Sequence, residues 1–345
     1  MVREFGGDIV EYRTGCGTDA PPPFLPEGAL LLRSGRDALR YTARILKRRG
    51  KEIWLPAYCC DSMVKPFLDE GVGVHFYPVS PDRAANGRTV KAEVPAGEAL
   101  LYMSYFGHPV FGEEELEELS ASCLLIEDRT QTLFDPPAPG PVPAFTVASI
   151  RKWIPLFDGG YVKANLPADG PQAGPPDAEY VAMRKEAFDL KADYLRTGNR
   201  AEKECFLPLL REAEQLLYDR TDLAEMSAAS REILRRLDYG QIRARRIGNY
   251  RTLYEKLKDG PFRALPPGKD SVPLYFTLIV DDRADMQKKL AAKDIYCPRI
   301  WPLPEGAGEK CAFSGYLSDH LLCIPCDQRY TAEDMAWIAD TVRSL

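Results

Sequence analysis

An apolar run from Phe145 to Ser149 is followed, three residues after the serine, by Lys152, and Gly159-Gly160 comes seven residues later. The preceding apolar run, Leu124-Leu125-Ile126, ends in Glu127-Asp128-Arg129-Thr130-Gln131. If both runs are buried strands, a carboxylate and an amine stand at neighbouring strand ends. That pairing suits pyridoxal phosphate (PLP). Lys152 would form a Schiff base with the cofactor aldehyde, and Asp128 would keep the pyridine nitrogen protonated so that the ring accepts electrons. Gln131 is placed to hydrogen-bond the phenolic oxygen, and Ser149 to hold the phosphate. Burial and Schiff-base formation should depress the lysine pKa enough for it to act as a base near neutral pH. A Ser-x-x-Lys also occurs in penicillin-recognising enzymes, but those need Ser-Asp-Asn and Lys-Thr-Gly elements, and neither tripeptide is present.

Positioning these groups requires strands that end together. Apolar strands are expected at 52–56, 72–77, 99–105, 124–126 and 145–149. Helices are expected at 36–49, 61–68 and 113–120 between them. Alternation of this kind implies a mostly parallel sheet covered by helices, with ligands beyond the carboxyl ends of its strands. Two further segments converge there. Arg33-Ser34-Gly35-Arg36 opens the first long helix, where free N–H groups suit a phosphate and Arg36 adds charge. Pro56-Ala57-Tyr58-Cys59-Cys60 is a strand-to-helix turn that presents Tyr58 and Cys60 to a ring face.

Length and composition set the frame. With 345 residues, 45% hydrophobic and 28% charged, the chain has the make-up of a globular protein of one large and one smaller domain. We expect a large α/β domain over 1–258, with a helical insert at about 166–225, and a small α+β domain over 259–345. The insert follows a Pro/Gly-rich loop at 166–178 and opens a helical stretch with breaks near Gly198-Asn199, Thr221-Asp222 and Asp238-Gly240. A net charge of −6 argues against nucleic acid or an anionic membrane as partner. No apolar run nears the roughly 20 residues of a membrane span, and the first residues lack a signal peptide's apolar stretch, so the cytoplasm is expected. The nine cysteines then read as reduced. Cys323-Ile324-Pro325-Cys326 has redox-motif spacing, but it ends an apolar strand instead of starting a helix, so core packing is expected. Three scattered histidines and one CxxC leave no metal site.

Several of these segments, in this order, resemble the DegT/StrS-type aminotransferases, PLP enzymes of fold type I that mostly aminate nucleotide-linked keto sugars. Ser34-Gly35-Arg36-Asp37-Ala38-Leu39 is similar to the family's SGTxAL segment, and Pro56-Ala57-Tyr58 to its PAY. Phe106-Gly107-His108-Pro109 resembles FGxP, and Ile126-Glu127-Asp128-Arg129-Thr130-Gln131 resembles IEDxxQ. The Lys152 to Gly159-Gly160 spacing, Met226-Ser227, Leu322-Cys323-Ile324-Pro325 and Thr331-Ala332-Glu333-Asp334 also fit. Departures are Arg36 in place of threonine, Cys60 where an aromatic often stacks, and Leu223 where the family places an asparagine that reaches the partner subunit. The resemblance implies a PLP-dependent aminotransferase with Lys152 and Asp128 catalytic. Ser34, Gly35, Arg36 and Ser149 would form the phosphate cup, Tyr58 and Cys60 would line the ring, and Gln131 would meet the phenolic oxygen. Arg299 and Trp301 would edge the substrate pocket. It also implies glutamate as donor, a keto acceptor, and a homodimer with the active site at the interface. Two other outcomes share these residues: another PLP chemistry such as a lyase or decarboxylase, and a degenerate cofactor-binding sensor or scaffold. The family's sugar dehydratases carry histidine where Lys152 stands.

Overall fold

A computed structural model describes residues 2–11, 21–79, 92–137, 139–166, 170–268 and 270–345. Of the polar connection expected at 80–98, residues 80–91 lie outside it, as do 167–169 of the loop expected at 166–178. In chain order the first elements are β1 (Phe5–Gly6), β2 (Leu30–Leu32), α1 (Gly35–Arg48), β3 (Ile53–Pro56), α2 (Asp61–Asp69), β4 (Val74–Tyr77), β5 (Ala99–Tyr105) and β6 (His108–Pro109). They are followed by α3 (Glu113–Ser122), β7 (Leu124–Asp128), β8 (Phe145–Ser149) and β9 (Gly160–Ala164). The helical insert gives α4 (Ala178–Thr197) and α5 (Arg200–Asp219), then come α6 (Ala228–Arg235) and α7 (Tyr239–Leu257). The remainder is β10 (Arg263–Ala264), β11 (Phe276–Ile279), α8 (Arg283–Ala291), β12 (Ile295–Tyr296), α9 (Ala307–Lys310), α10 (Ala312–His320), β13 (Leu321–Ile324) and α11 (Ala332–Arg343).

The central sheet runs β2-β9-β8-β7-β5-β3-β4, with β6 folded back on β5. The five strands from β8 to β4 are parallel, while β9 and β2 add an antiparallel edge. Parallel strands covered on both faces are apolar on both faces, and β5 and β8 are buried along nearly their whole length. The antiparallel edge was not foreseen. β2 and β9 are only three and five residues long, and Gly159-Gly160 gives no apolar alternation to read. The helices 307–310 and 312–320, ahead of β13, were likewise unassigned.

α1 shows why the sequence folds locally as it does. Ser34 caps it by accepting from the Asp37 N–H, Leu39, Ala43 and Leu46 face the core, and Lys47 and Arg48 sit in the last turn where they complement the helix dipole. α4 and α5 form an antiparallel hairpin, with Asp177 and Asn199 as their N-caps and Gly198 as a left-handed turn between them. The small unit is the antiparallel sheet β10-β11-β13 with α8 and α11. α7 packs against both units. Tyr239 and Ile242 join the cluster around Trp153, and Tyr250, Leu253 and Leu257 join the small-sheet cluster, to which Phe5 also belongs. Cys323 and Cys326 are buried in that region of the molecule. Burial pushes the Cys326 thiol up to about 12 and Cys323 well above its ordinary value, which suits core packing and not thiolate chemistry.

The hairpin is fastened to the start of α1 by one buried cation. Arg33 is 1% exposed and bonds Asp37 at 2.8 Å, Asp177 at 2.8 Å and Asp222 at 3.2 Å. Asp177 and Asp222 bracket the hairpin in sequence, so Arg33 gathers both of its ends beside Ser34. Removing the guanidinium would leave Asp37 buried without its counter-charge and Asp177 with Arg220 alone. Arg33→Met should therefore cost about 3–5 kcal/mol, read as a lowered urea midpoint of the full chain; a midpoint unchanged within error would contradict this placement.

Candidate active site

Asp128 is the last residue of β7 and Ser149 the last of β8, so the chain leaves both strands at the same edge of the sheet. A turn at Ile150–Trp153 follows β8 and carries Lys152. Trp153 anchors this turn: it is fully buried, its indole N–H donates to the Thr130 carbonyl at 2.7 Å, and the Arg246 guanidinium lies 4.7 Å from its ring centre. The Ile150 and Arg151 N–H groups both donate to the Gly159 carbonyl, which ties the turn to the head of β9.

Glycine is required where the first turn of α1 meets these strands. The Gly159 N–H donates to the Arg33 carbonyl at 2.6 Å, with a backbone φ of +150°. A Cβ on Gly160 would overlap the Ser34–Gly35 peptide, and one on Gly35 would lie 2.9 Å from the Ser149 Cβ. The start of α1 is thus pressed directly on Ser149. Asp158 holds the other side: its carboxylate accepts from the Ser227 N–H at 2.8 Å and the Ser227 hydroxyl at 2.6 Å.

These contacts enclose a cavity of about 280 Å³ lined by, among others, Ser34, Gly35, Arg36, Cys60, Asp128, Gln131, Ser149, Lys152, Arg299 and Trp301. One expected member is displaced. Tyr58 is fully buried and does not line the cavity; its hydroxyl donates to the Ile300 carbonyl, and its ring packs 5.3 Å from that of Trp301. The side chain is turned into the core because Tyr105 and Trp301 offer it an aromatic nest, so Tyr58 supports the Trp301 wall from behind. Lys152 lines the cavity but is exposed in the single chain, contrary to the burial expected of it. It stands on the wall shared with a second cavity of about 360 Å³, and that opening leaves its amine uncovered. Arg299 is also at the surface, with its guanidinium on Ser318 at 2.9 Å and Asp319 at 3.3 Å.

Asp128 is 5% exposed. Burial pushes its carboxyl above the ordinary range, and the Thr130 hydroxyl and N–H, with the Lys152 charge nearby, pull it back only partway. The Thr130 N–H donates at 2.7 Å, and the Thr130 hydroxyl also accepts from the Ser149 N–H at 3.0 Å. Gln131 accepts from the Phe106 N–H at 2.9 Å, which steadies Phe106 at its left-handed φ of 54°. Its Nε2 is buried without a partner.

The site meets PLP's needs on structural grounds. A buried carboxylate would face the ring nitrogen, the partnerless amide of Gln131 would have an acceptor in the phenolic oxygen, and the glycine-lined start of α1 beside Ser149 would receive the phosphate. Thr130, Arg151 and Glu214 also line the site and were not singled out from sequence. Thr130 and Arg151 sit inside the motifs already quoted. Glu214 comes from α5, and nothing local marks it. Among the described residues no group of His, Cys, Asp or Glu could hold a metal ion, and no helix is long and apolar enough to cross a membrane.

Neither protein-family profiles nor curated proteins match this chain. Solved structures do. A DegT DnrJ EryC1 StrS aminotransferase from Brucella abortus is similar over 92% of this chain and 86% of its own, at 16% identity and a TM-score of 0.58. DesI, solved in the presence of its TDP-sugar product, covers 92% of this chain and 80% of its own, at 16% identity and a TM-score of 0.62. A GDP-4-keto-6-deoxymannose-3-dehydratase with a trapped PLP-glutamate geminal diamine covers 91% and 88%, at 15% identity and a TM-score of 0.58. The chain therefore has fold type I of the PLP-dependent transferases.

The raised carboxyl of Asp128 has a consequence for stability. A group whose folded pKa lies above its unfolded value binds its proton more tightly when folded, so its ionisation destabilises the fold as pH rises through that value. Asp128→Asn should raise the thermal midpoint of the cofactor-free chain at neutral pH. The gain over the parent should shrink as pH falls towards the ordinary carboxylate range of ~4. A variant less stable than the parent at neutral pH would contradict this.

Proposed function

We propose that the protein is a PLP-dependent aminotransferase that moves an amino group from an amino-acid donor, glutamate in the first instance, to a keto acceptor of the nucleotide-linked sugar class. The observation that carries this reading is the convergence of Asp128, Gln131, Ser149 and Lys152 from two adjacent strand ends onto one cavity. When bound, PLP supplies the electron sink for chemistry at the donor's α-carbon. Lys152 would hold the cofactor, and its amine would serve as the base that takes the proton from the donor's α-carbon. The Asp128 carboxylate keeps the ring nitrogen protonated, and that cation offsets the cost of burying the carboxylate. Thr130 aims the carboxylate, Gln131 meets the phenolic oxygen, and Cys60 lines the ring.

Two of the similar structures support the substrate classes: DesI was solved with a TDP-sugar product, and the dehydratase with a PLP-glutamate adduct. A cavity of about 280 Å³ is at the low end for a ligand site, so it suits the cofactor, with the acceptor over its open side near Trp301. The exposure of Lys152 fits a homodimer whose partner covers the site, and size-exclusion chromatography with light scattering tests that state. Eight described cysteines are free thiols, which fits a reducing compartment such as the cytoplasm.

Purified protein mixed with PLP should show the visible absorbance of lysine-linked pyridoxal, and borohydride should fix the cofactor to the peptide containing Lys152. In Lys152→Ala both signals should vanish, and turnover should fall by at least ~10²-fold, the scale of general acid–base catalysis. Retention of either signal would refute the lysine assignment. Glutamate added to the loaded protein should yield 2-oxoglutarate. PLP bound through Lys152 without 2-oxoglutarate from any of a panel of amino donors would replace this reading with a lyase or with a cofactor-binding sensor.

A further inference from the structure

Two guanidinium groups converge at the phosphate end of the cavity, and a carboxylate from the helical hairpin joins them. Arg151 bonds Glu214 at 2.7 Å and 3.0 Å, and Arg36 approaches the same carboxylate at 3.6 Å. All three side chains line the cavity with Ser34, Gly35 and Ser149. Both arginines keep a buried nitrogen without a partner, Nη1 of Arg36 and Nε of Arg151. Arg184, the next cation along, spans the same carboxylate at 4.0 Å and Asp8 at 3.3 Å, so three guanidiniums face two carboxylates and one positive charge stays uncompensated.

The electrostatics of the trio point the same way. Burial and the neighbouring Arg151 hold Arg36 below its ordinary pKa, a sign that two like charges are kept close. Burial alone would raise Glu214, yet Arg151, Arg36 and Arg184 together hold it below the usual carboxylate range. Charge of this kind is costly to bury unless an anion completes it. The uncommitted N–H groups at the start of α1 lie beside it, through Gly35 and Arg36 themselves.

We infer that Arg36 and Arg151, spaced by Glu214 of α5, form a charged clamp that selects a phosphorylated cofactor, so that the α4–α5 hairpin is a working part of the cofactor site. The clamp rests on the PLP reading above. It gives the hairpin a function: Arg33 pins its two ends beside Ser34, and Glu214 on its second helix reaches back to the arginines. Phosphate, an anion with three accepting oxygens, suits one net positive charge, two partnerless guanidinium donors, the Ser149 hydroxyl and a helix N-terminus, while the Ser34 hydroxyl is committed to Asp37. Arg36 and Arg151 contact the cofactor, whereas Glu214 is a positioning residue.

The test compares two probes on the full-length chain: PLP, and pyridoxal, which lacks the phosphate. Each is titrated by the absorbance of the lysine-linked form. Arg151→Gln and Arg36→Gln should each weaken PLP at least ~10-fold, the scale of a lost charge-assisted hydrogen bond, while pyridoxal binding moves by less than ~2-fold. Glu214→Ala frees the Arg151 fork from the carboxylate that aims it and should reduce the preference for PLP over pyridoxal by a smaller factor, with Glu214→Asp restoring part of it. Because the Arg36 side chain is 22% exposed against 11% for Arg151, Arg36→Gln remains informative even if Arg151→Gln fails to fold. Unchanged preference in both arginine variants, or equal weakening of PLP and pyridoxal, overturns the clamp. An unchanged preference in Glu214→Ala removes the hairpin from it. If the parent chain binds neither probe through Lys152, the PLP reading itself falls, which is a different result from a parent that binds PLP and variants that keep its preference.

Discussion

The site depends on one close backbone contact: the Ser34–Gly35 peptide lies against Gly160, and Gly35 lies against Ser149. No side chain separates these segments, so the N-terminus of α1, the end of β8 and the head of β9 are held at fixed distance. Lys152 is three residues beyond that contact on the strand side, and Arg36 is one residue beyond it on the helix side. An α-carbon substituent at either glycine would push the helix away from the strands. Arg36, Ser149 and Lys152 would then no longer share a cavity. Gly-Gly at the head of β9, a strand paired on both sides, has no value for strand stability, since glycine weakens strands. Its value is the approach it permits.

Around this contact the molecule arranges charge by an uneven mixture of pairing and exposure. Arg33 is completely satisfied by three aspartates and acts as a rivet. Asp128 is buried with partial compensation from Thr130 and from Lys152, and Arg36 and Arg151 share a single carboxylate. On the proposed PLP reading, the last two cases would be offset by a cationic ring nitrogen and an anionic phosphate. Incomplete compensation at both ends of one cavity, opposite in sign, matches a ligand that is itself positive at one end and negative at the other. Functional sites are where such local costs are tolerated.

Much of this was legible in the order of residues. The parallel strands, the helices between them and the strand-end placement of Asp128 and Ser149 follow from local periodicity and helix start and stop signals, which act over a few residues. The helix breaks at Gly198-Asn199, inside the hairpin, and at Asp238, ahead of α7, were equally local signals. The antiparallel edge was not legible, because β2 is held by its partner β9 more than by its own three residues. Tyr58 was misjudged for a related reason. A turn can present a tyrosine to a cavity or to the core, and the choice lies with Tyr105, Ile300 and Trp301, which are far away in sequence.

By itself, then, the chain's order of residues determined which groups could do chemistry and at which strand ends they would stand, because an amine, a carboxylate and a pair of glycines at set spacings constrain few other folds. Only the tertiary structure decided what surrounds them. It brought Glu214 from α5 to Arg151, turned Tyr58 inward, and left Lys152 open on the wall between two cavities. These outcomes depend on packing between segments tens to hundreds of residues apart, where contact geometry is set by the whole fold and leaves no periodic trace in either segment.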